Sequence, residues 1–377
     1  MNFDDIRSYN DAEYTAVVTR LVNEPIFVQA IQYFFPKFTK EELEQELLSY
    51  TKINEFQANF FCRLISKVED FSMDQLFIEG LEDITDQISR LYISNHRDIV
   101  LDSALINYGL NANNLNTSEI AIGSNLLATP WVKDLVRLNK SFIVKRNVAK
   151  QEMLNSSIQL SNYIQYVIHQ KHQSVWIAQR EGRAKDGNDK TNPGLLKMFT
   201  LSANEDLIDF FIKMNITPVS ISYEYDPCDI LKVPELLAKL KGEPYLKKEG
   251  EDNLHMITGI KGDKGNTKVV FAKSINTQIE ELRGLKNRNE LLKNIAQIID
   301  TEIHRNYYLW PTNYIAFDLL NNTEQFAKKY TQKQKDQFVE ILDQKLAHYQ
   351  LQQNGEARQL FLKMYANPVI NKGEKLL

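Results

Sequence analysis

The stretch I-S-N-H-R-D-I-V-L-D-S-A-L at residues 93–105 constrains the fold more than any other part of the chain. An apolar run ends at a polar cluster containing His96, Asp98 and Asp102, and a second apolar stripe follows. This order predicts a strand, a polar turn and a helix. In such a turn His96 would act as a general base, and an aspartate would fix its tautomer. The alternative is that Asn95 or Asp98 caps the helix and His96 is incidental.

Two further segments end in cationic turns. Residues 139–146, N-K-S-F-I-V-K-R, end in Lys145 and Arg146, whose side chains are suitable donors to a phosphate. Residues 175–187, V-W-I-A-Q-R-E-G-R-A-K-D-G, read as a strand followed by a turn, in which a glycine permits close backbone approach and Arg183 can bind a phosphate. The alternatives are a strand edge protected by solvated charges and an ordinary charged turn.

A fourth segment, N-I-T-P-V-S-I-S-Y-E at residues 215–224, is β-branched and alternating, which predicts a strand. In this order the four segments resemble the glycerol-3-phosphate and 1-acylglycerol-3-phosphate O-acyltransferase family over residues 91–226. Family members have four residues between the catalytic His and Asp, a spacing that neither aspartate has here. One inserted residue would bring Asp102 into the catalytic place, and Asp98 is the alternative. The family's G-x-x-F-x-x-R has Asn139 at its Gly, and its E-G-x-R is one residue shorter here.

The resemblance implies an α/β fold, with a mixed sheet that has helices on both faces and helical additions at both termini. It implies transfer of a fatty acyl group from acyl-CoA or acyl-carrier protein to a hydroxyl of glycerol 3-phosphate or 1-acylglycerol 3-phosphate, in phospholipid biosynthesis. The thioester is a co-substrate, and we expect no cofactor. His96 would be the base, oriented by Asp102 or Asp98. The residues expected to bind substrate are Arg97, Lys145, Arg146, Glu181, Gly182 and Arg183.

Two other functions stay open at this stage. The first is an acyltransferase of the same fold with a non-glycerophosphate acceptor, such as an amino-lipid. The second is a non-catalytic, lipid-binding relative, which the irregular spacing around His96 and Gly182 leaves possible. A protein kinase is excluded, although H-R-D occurs, because Ser103 stands where a kinase catalytic loop needs Asn.

Composition narrows the possible partners. The formal net charge of −4 argues against nucleic-acid binding. Cys62 and Cys228 are the two cysteines, which excludes a disulfide framework, and neither has a histidine at metal spacing, so we predict no metal site. No apolar run reaches the length of about 18 residues that a spanning helix needs. We therefore expect a cytoplasmic chain in peripheral contact with the inner face of the membrane, through residues 25–28 and 33–35 or the C-terminal third, although these aromatics also suit internal packing.

The pattern of elements predicts three regions. Residues 1–87 are expected to be a helical N-terminal region, residues 88–275 an α/β acyltransferase domain and residues 276–377 a helical C-terminal region. Strands are expected near residues 91–94, 119–122, 141–145, 174–178 and 217–223, with helices between them. Residues 257–260 and 267–271 are expected to form a hairpin. His96 and Arg183 should meet at the carboxyl ends of the strands.

Overall fold

The computed structural model describes residues 2–373, and within that range it contains one seven-stranded sheet. The strands are β1 (Gln75–Glu79), β2 (Leu91–Ser94), β3 (Glu119–Gly123), β4 (Ser141–Val144), β5 (Val175–Ala178), β6 (Ile216–Tyr223) and β7 (Asn266–Phe271). Their order across the sheet is β1-β7-β6-β2-β5-β3-β4. Strands β2 to β6 are mutually parallel, whereas β7 pairs antiparallel to β6 and parallel to β1. The sheet is therefore mixed, and the carboxyl ends of β2 to β6 share one edge.

Helices precede, connect and follow the strands. They are α1 (Tyr14–Val22), α2 (Pro25–Phe34), α3 (Lys40–Ser49), α4 (Ile53–Phe56), α5 (Cys62–Ser72), α6 (Leu101–Ala112), α7 (Pro130–Leu138), α8 (Lys150–His169), α9 (Pro193–Phe199), α10 (Leu207–Met214), α11 (Asp229–Leu240), α12 (Glu251–Lys261), α13 (Asn276–Glu280), α14 (Arg288–Arg305), α15 (Pro311–Asn321), α16 (Gln332–His348) and α17 (Gly355–Lys372). A π-helical turn, Gln57–Phe61, joins α4 to α5.

Helices cover both faces of the sheet. Alternate residues of each strand point to opposite faces, so each strand contributes side chains to the packing on both. Leu91 and Ile93 of β2 pack into one apolar cluster with α8, α9, α10 and α14. Tyr92, between them, packs into a second cluster with α5 and α6 on the other face. A strand buried on both faces needs continuous apolar residues, and all four residues of β2 are buried. This arrangement confirms the predicted α/β class.

Two further apolar clusters lie beside the sheet. Helices α1 to α4 form the first, which also contains Leu138 of α7. Helices α11, α15, α16 and α17 form the second, around Phe338 and Phe361. Helix α3 begins as its sequence predicts, because the Thr39 side chain accepts from the Glu42 backbone N–H at 3.1 Å and Glu42 reciprocates. These clusters are the helical additions at the two termini.

The local predictions and the structure agree for β2 to β6 and differ at two places. Strand β1 lies inside the region expected to be helical, where it forms an edge of the sheet beside β7. The predicted hairpin is wrong, because residues 257–260 belong to α12 and β7 alone is a strand. Glu251 and Asp252 lie in the first turn of α12, where their negative charges interact favourably with the positive end of the helix dipole and stabilise the helix. The two predicted boundaries between the three regions stay predictions.

Candidate active site

The turn that follows β2 contains His96 and lies at the carboxyl edge of the sheet. Asn95 directly follows β2 and is completely buried. Its amide donates to the Ile221 carbonyl at 2.9 Å and accepts from the Ile221 N–H at 2.8 Å. The side chain thus continues the pairing of β2 with β6 by one step, although the chain is already turning. This fixes the start of the turn at His96.

His96 and Asp102 form a hydrogen-bonded pair. The His96 Nδ1 lies 2.7 Å from Asp102 Oδ2, and the carboxylate is fully buried while the imidazole retains 15% exposure. The same Oδ2 accepts from the backbone N–H groups of Arg97 at 2.6 Å and Asp98 at 3.0 Å. An acceptor that already has two N–H donors orients the imidazole with Nδ1–H toward it, which leaves Nε2 as the basic nitrogen.

Tyr223, at the end of β6, completes the surroundings of Asp102. Its hydroxyl donates to Asp102 Oδ1 at 2.8 Å. Burial, and then the nearby Asp102 charge, raise the pKa of Tyr223 well above its usual value, so the phenol stays protonated. Asp102 therefore has donors on both oxygens, and its position in the first turn of α6 favours a negative charge. The carboxylate is held rigidly behind His96.

Asp98 has a different task in the same turn. Its Oδ1 accepts from the backbone N–H groups of Val100 at 2.8 Å and Leu101 at 2.7 Å, which begins α6. Burial raises the pKa of Asp98, with the Asp102 charge as the second cause. The structure thus places Asp102, and not Asp98, against His96. The extra residue is accommodated because the turn closed by Asp98 brings the first turn of α6 back under His96.

The turn after β5 lies beside His96. The Ala184 N–H donates to the His96 carbonyl at 2.9 Å, so the two turns are joined through their backbones. Gly182 adopts a φ of +69°, which favours glycine, and a side chain added there would meet open space. Glu181 is exposed and forms an ion pair with Arg146 at 2.7 Å. The segments after β4 and β5 therefore converge on this edge, as predicted.

Arg183 is buried beside the same turn, with a histidine as its partner. Its Nη2 lies 2.6 Å from Nδ1 of His255 in α12, and its buried Nη1 has no hydrogen-bond partner among residues 2–373. Burial, and then the charge of Arg183, lower the pKa of His255 to about 4. A neutral imidazole accepts through Nδ1, so the guanidinium donates. Arg183 retains donor capacity for a further anionic group.

Arg97 points away from His96. Its Nη2 donates to Asp189 Oδ2 at 2.6 Å and to the Gly187 carbonyl at 3.2 Å, and Tyr307 donates to the same carboxylate. Burial raises the pKa of Asp189 in spite of the opposed Arg97 charge. Arg97 thereby connects the catalytic turn to the loop that follows β5.

The loop after β5 is held by helices of the C-terminal region. The Thr191 N–H donates to Asp300 of α14 at 2.7 Å, and His304 Nε2 donates to the Asp189 carbonyl at 2.7 Å. Gly187 lies so close to α17 that an added Cβ would be 2.0 Å from the Met364 carbonyl oxygen. The C-terminal helices therefore fix the far side of the turn that contains Arg183.

Lys145 lies at the periphery. It forms an ion pair with Asp5 at 2.5 Å and donates to Gln159 at 3.1 Å, and about a third of its side chain is exposed. No group of three or more metal-ligating side chains lies among residues 2–373.

Comparison with known proteins finds a similarity in the central part of this chain. Residues 75–222 match the family model described as Acyltransferase. The structure aligns with the crystal structure of the 1-acyl-sn-glycerophosphate (LPA) acyltransferase PlsC from Thermotoga maritima, at 16% identity and a TM-score of 0.36, over 78% of this chain and 97% of that chain. A search of curated proteins finds no match.

The structure adds further functional candidates to this site. Tyr223, in β6, contacts Asp102. Asn95, in the turn after β2, contacts β6, a strand that follows more than 100 residues later. Trp176 packs edge-on against the His96 ring, with centroids 5.9 Å apart. His255 contacts Arg183 from α12, outside residues 75–222. The available signal was positional, since Asn95 and Tyr223 each lie at the carboxyl end of a strand.

None of the helices described between residues 2 and 373 combines the length and the apolar character needed to cross a membrane.

Proposed function

We propose that this chain transfers a fatty acyl group from a thioester to a hydroxyl of glycerol 3-phosphate or 1-acylglycerol 3-phosphate. The observation that carries the proposal is the buried Asp102 carboxylate, which accepts from His96 at 2.7 Å. It also accepts hydrogen bonds from the Tyr223 hydroxyl and from two backbone N–H groups, which hold it in place. Such a pair suits a base that must remove a proton from a neutral alcohol. It lies within the segment that matches the acyltransferase family.

The proposed reaction needs one proton-transfer residue. His96 Nε2 takes the proton of the acceptor hydroxyl as its oxygen forms a bond to the thioester carbonyl carbon. The carbon–sulfur bond then breaks, and the imidazolium returns the proton to the departing thiolate. Asp102 stabilises the imidazolium between these steps. No acyl-enzyme forms and no cofactor takes part, and a base of this kind contributes about 10²–10⁴-fold.

Arg183 is the residue that we propose for the acceptor phosphate. It is buried, it lies in the turn joined to His96 through Ala184, and its Nη1 has no partner. A planar guanidinium binds a phosphate through two parallel hydrogen bonds, which positions as well as attracts it. Arg146 and Glu181 lie at the same edge and are paired with each other, so they border the acceptor and do not compete for it.

The donor is proposed to be acyl-CoA or acyl-carrier protein. Both present the same thioester, and the described site offers no contact that separates them. Because the acyl chains of the donor and of 1-acylglycerol 3-phosphate are apolar, we propose that the chain lies in the cytoplasm, in peripheral contact with the inner face of the membrane. Phospholipid biosynthesis is the process in which this reaction has its use.

The test is thiol release from a long-chain acyl-CoA by the purified chain, measured with glycerol 3-phosphate, with 1-acylglycerol 3-phosphate, with glycerol and without acceptor. We expect release to require an acceptor and to be much faster with the two phosphate esters. Substitution His96→Ala should slow it by about 10²–10⁴-fold, whereas His348→Ala, at an exposed position of α16, should not. Equal rates with glycerol and glycerol 3-phosphate would contradict the glycerophosphate acceptor, and release without any acceptor would contradict direct transfer.

A further inference from the structure

The cationic side chains around the site differ in the charge of their partners. Most of them are paired with a carboxylate, so that little net charge remains for a ligand. These pairs are Arg97 with Asp189, Lys145 with Asp5, Arg146 with Glu181, Lys185 with Glu235 and Lys232 with Asp226. Arg183 differs from these five, because within residues 2–373 it forms no ion pair and its side-chain partner is His255.

His255 is built into the molecule as a fixed acceptor. It is 3% exposed and belongs to α12, a helix that follows the segment matching the acyltransferase family. Its backbone carbonyl accepts from the Cys228 thiol at 3.2 Å, which ties this turn of α12 to the start of α11. One turn later, Gly259 lies against the Asp98 carboxylate, so close that an added Cβ would be 2.0 Å from Oδ2. The position of the His255 ring is therefore determined by packing on both sides.

We propose that His255 is a positioning residue, which holds Arg183 through a neutral acceptor so that the guanidinium keeps its full positive charge for the anionic acceptor substrate. The inference rests on the proposed function and names a further determinant of the same acceptor site.

A histidine suits this position because the partner of Arg183 must orient the guanidinium without neutralising its charge. A carboxylate would orient Arg183 equally well, but it would also neutralise it, and the substrate phosphate would then compete with a resident anion. A neutral imidazole supplies the hydrogen bond alone. Its low pKa, about 4, keeps it neutral in the range where such an enzyme works. Asp98 lies near enough for the Arg183 charge to lower its pKa against the larger effect of burial, but the two form no ion pair, and Asp98 Oδ1 is bonded to the start of α6.

The test compares His255→Asn with His255→Asp. Both side chains place an oxygen acceptor where Nδ1 now lies, and they are nearly equal in size, but only Asp adds a negative charge. We expect His255→Asn to keep the KM for glycerol 3-phosphate within about threefold of the wild type. We expect His255→Asp to raise it about tenfold or more, the scale of a lost hydrogen bond to a charged group. The KM for acyl-CoA should stay unchanged in both variants.

His348→Asp is the matched control, because it makes the same exchange at an exposed residue of α16 and should leave the acceptor KM unchanged. Thermal unfolding of all variants separates loss of fold from loss of binding. Equal acceptor KM values for the Asn and Asp variants, or parallel changes in the acyl-CoA KM, would overturn the role of charge at this position. A wild-type chain that does not acylate glycerol 3-phosphate at all would instead contradict the proposed function, and the two failures are therefore distinguishable.

Discussion

The substitution Asp102→Asn gives the sharpest test of the catalytic pair, because the structure predicts which way the new amide must face. Asp102 Oδ2 accepts from the backbone N–H groups of Arg97 and Asp98 at 2.6 and 3.0 Å. An amide NH₂ at that position would oppose two donors, so the carbonyl oxygen of Asn must take it. That oxygen then still accepts from His96 Nδ1, and Nε2 stays the basic nitrogen. Where the analogous exchange in a serine-protease triad reverses the tautomer, about 10⁴-fold in activity is lost.

Here the tautomer should survive, and only the charge is lost. A hydrogen bond to a charged group contributes about 1.5–3 kcal/mol, which corresponds to about 10- to 150-fold in kcat. Tyr223, whose hydroxyl donates to Oδ1 at 2.8 Å, would meet an NH₂ group and lose its acceptor, so we also expect about 1 kcal/mol lower stability. Asp98→Asn keeps the oxygen that accepts from Val100 and Leu101, and it should leave kcat nearly unchanged.

The measurements are kcat for thiol release at saturating acceptor, and urea unfolding for each variant. A loss of about 10⁴-fold in Asp102→Asn, the scale of a reversed tautomer, would refute the argument that the two backbone N–H groups fix the amide. A larger loss of kcat in Asp98→Asn than in Asp102→Asn would refute the assignment of Asp102 as the partner of His96.

Three further outcomes follow from the site. His96→Ala should lower kcat by about 10²–10⁴-fold, and a normal kcat would exclude the proposed base. The variant should fold, but the lost hydrogen bond to the buried Asp102 should lower its stability by about 1.5–3 kcal/mol. Arg183→Lys should raise the KM for glycerol 3-phosphate more than the KM for acyl-CoA, since lysine keeps the charge but lacks the planar fork; equal changes would place Arg183 at the donor. Gly259→Ala should lower the free energy of unfolding, measured in urea, by about 1–3 kcal/mol, because its Cβ would lie 2.0 Å from Asp98 Oδ2. Gly355→Ala, which has open space around it, is the control and should not lower it. Equal stabilities of the two variants would contradict this contact.

The parallel part of the sheet was predictable because its signals are local. Each of β2 to β6 is an apolar or β-branched run that ends in a polar turn, and such runs can be found without knowing what they pair with. Strand β1 is different, since Q-L-F-I-E is short, has polar ends and pairs with β7 about 190 residues later. The I-T-G-I of residues 257–260 has the composition of a strand, but it continues a helix that starts with Glu251 and Asp252. Those two acidic residues were the local signal for the helix.

The composition of the site was predictable, but its connections were not. Sequence order brought His96, Asp102 and Arg183 together, because each follows a strand of the parallel set. The choice between Asp98 and Asp102 needed the path of the turn, which depends on backbone hydrogen bonds that no spacing rule contains. Likewise, nothing in the sequence separates Arg183 from Arg97, since both are arginines in polar turns. Their difference lies in their partners, His255 and Asp189, which are distant in the chain.

Helix α12 contacts both the turn after β2, which contains His96 and Asp98, and the turn after β5, which contains Arg183. Through Gly259 it leaves room for Asp98, which shapes the loop that carries His96, and through His255 it orients Arg183. Yet α12 lies outside residues 75–222, the segment that matches the acyltransferase family. In the proposed mechanism, the segment that matches the family supplies the base and its carboxylate, while α12, which follows β6, orients the arginine that binds the acceptor phosphate. Acceptor preference in this chain should accordingly be more sensitive to changes in α12 than the chemistry of acyl transfer is.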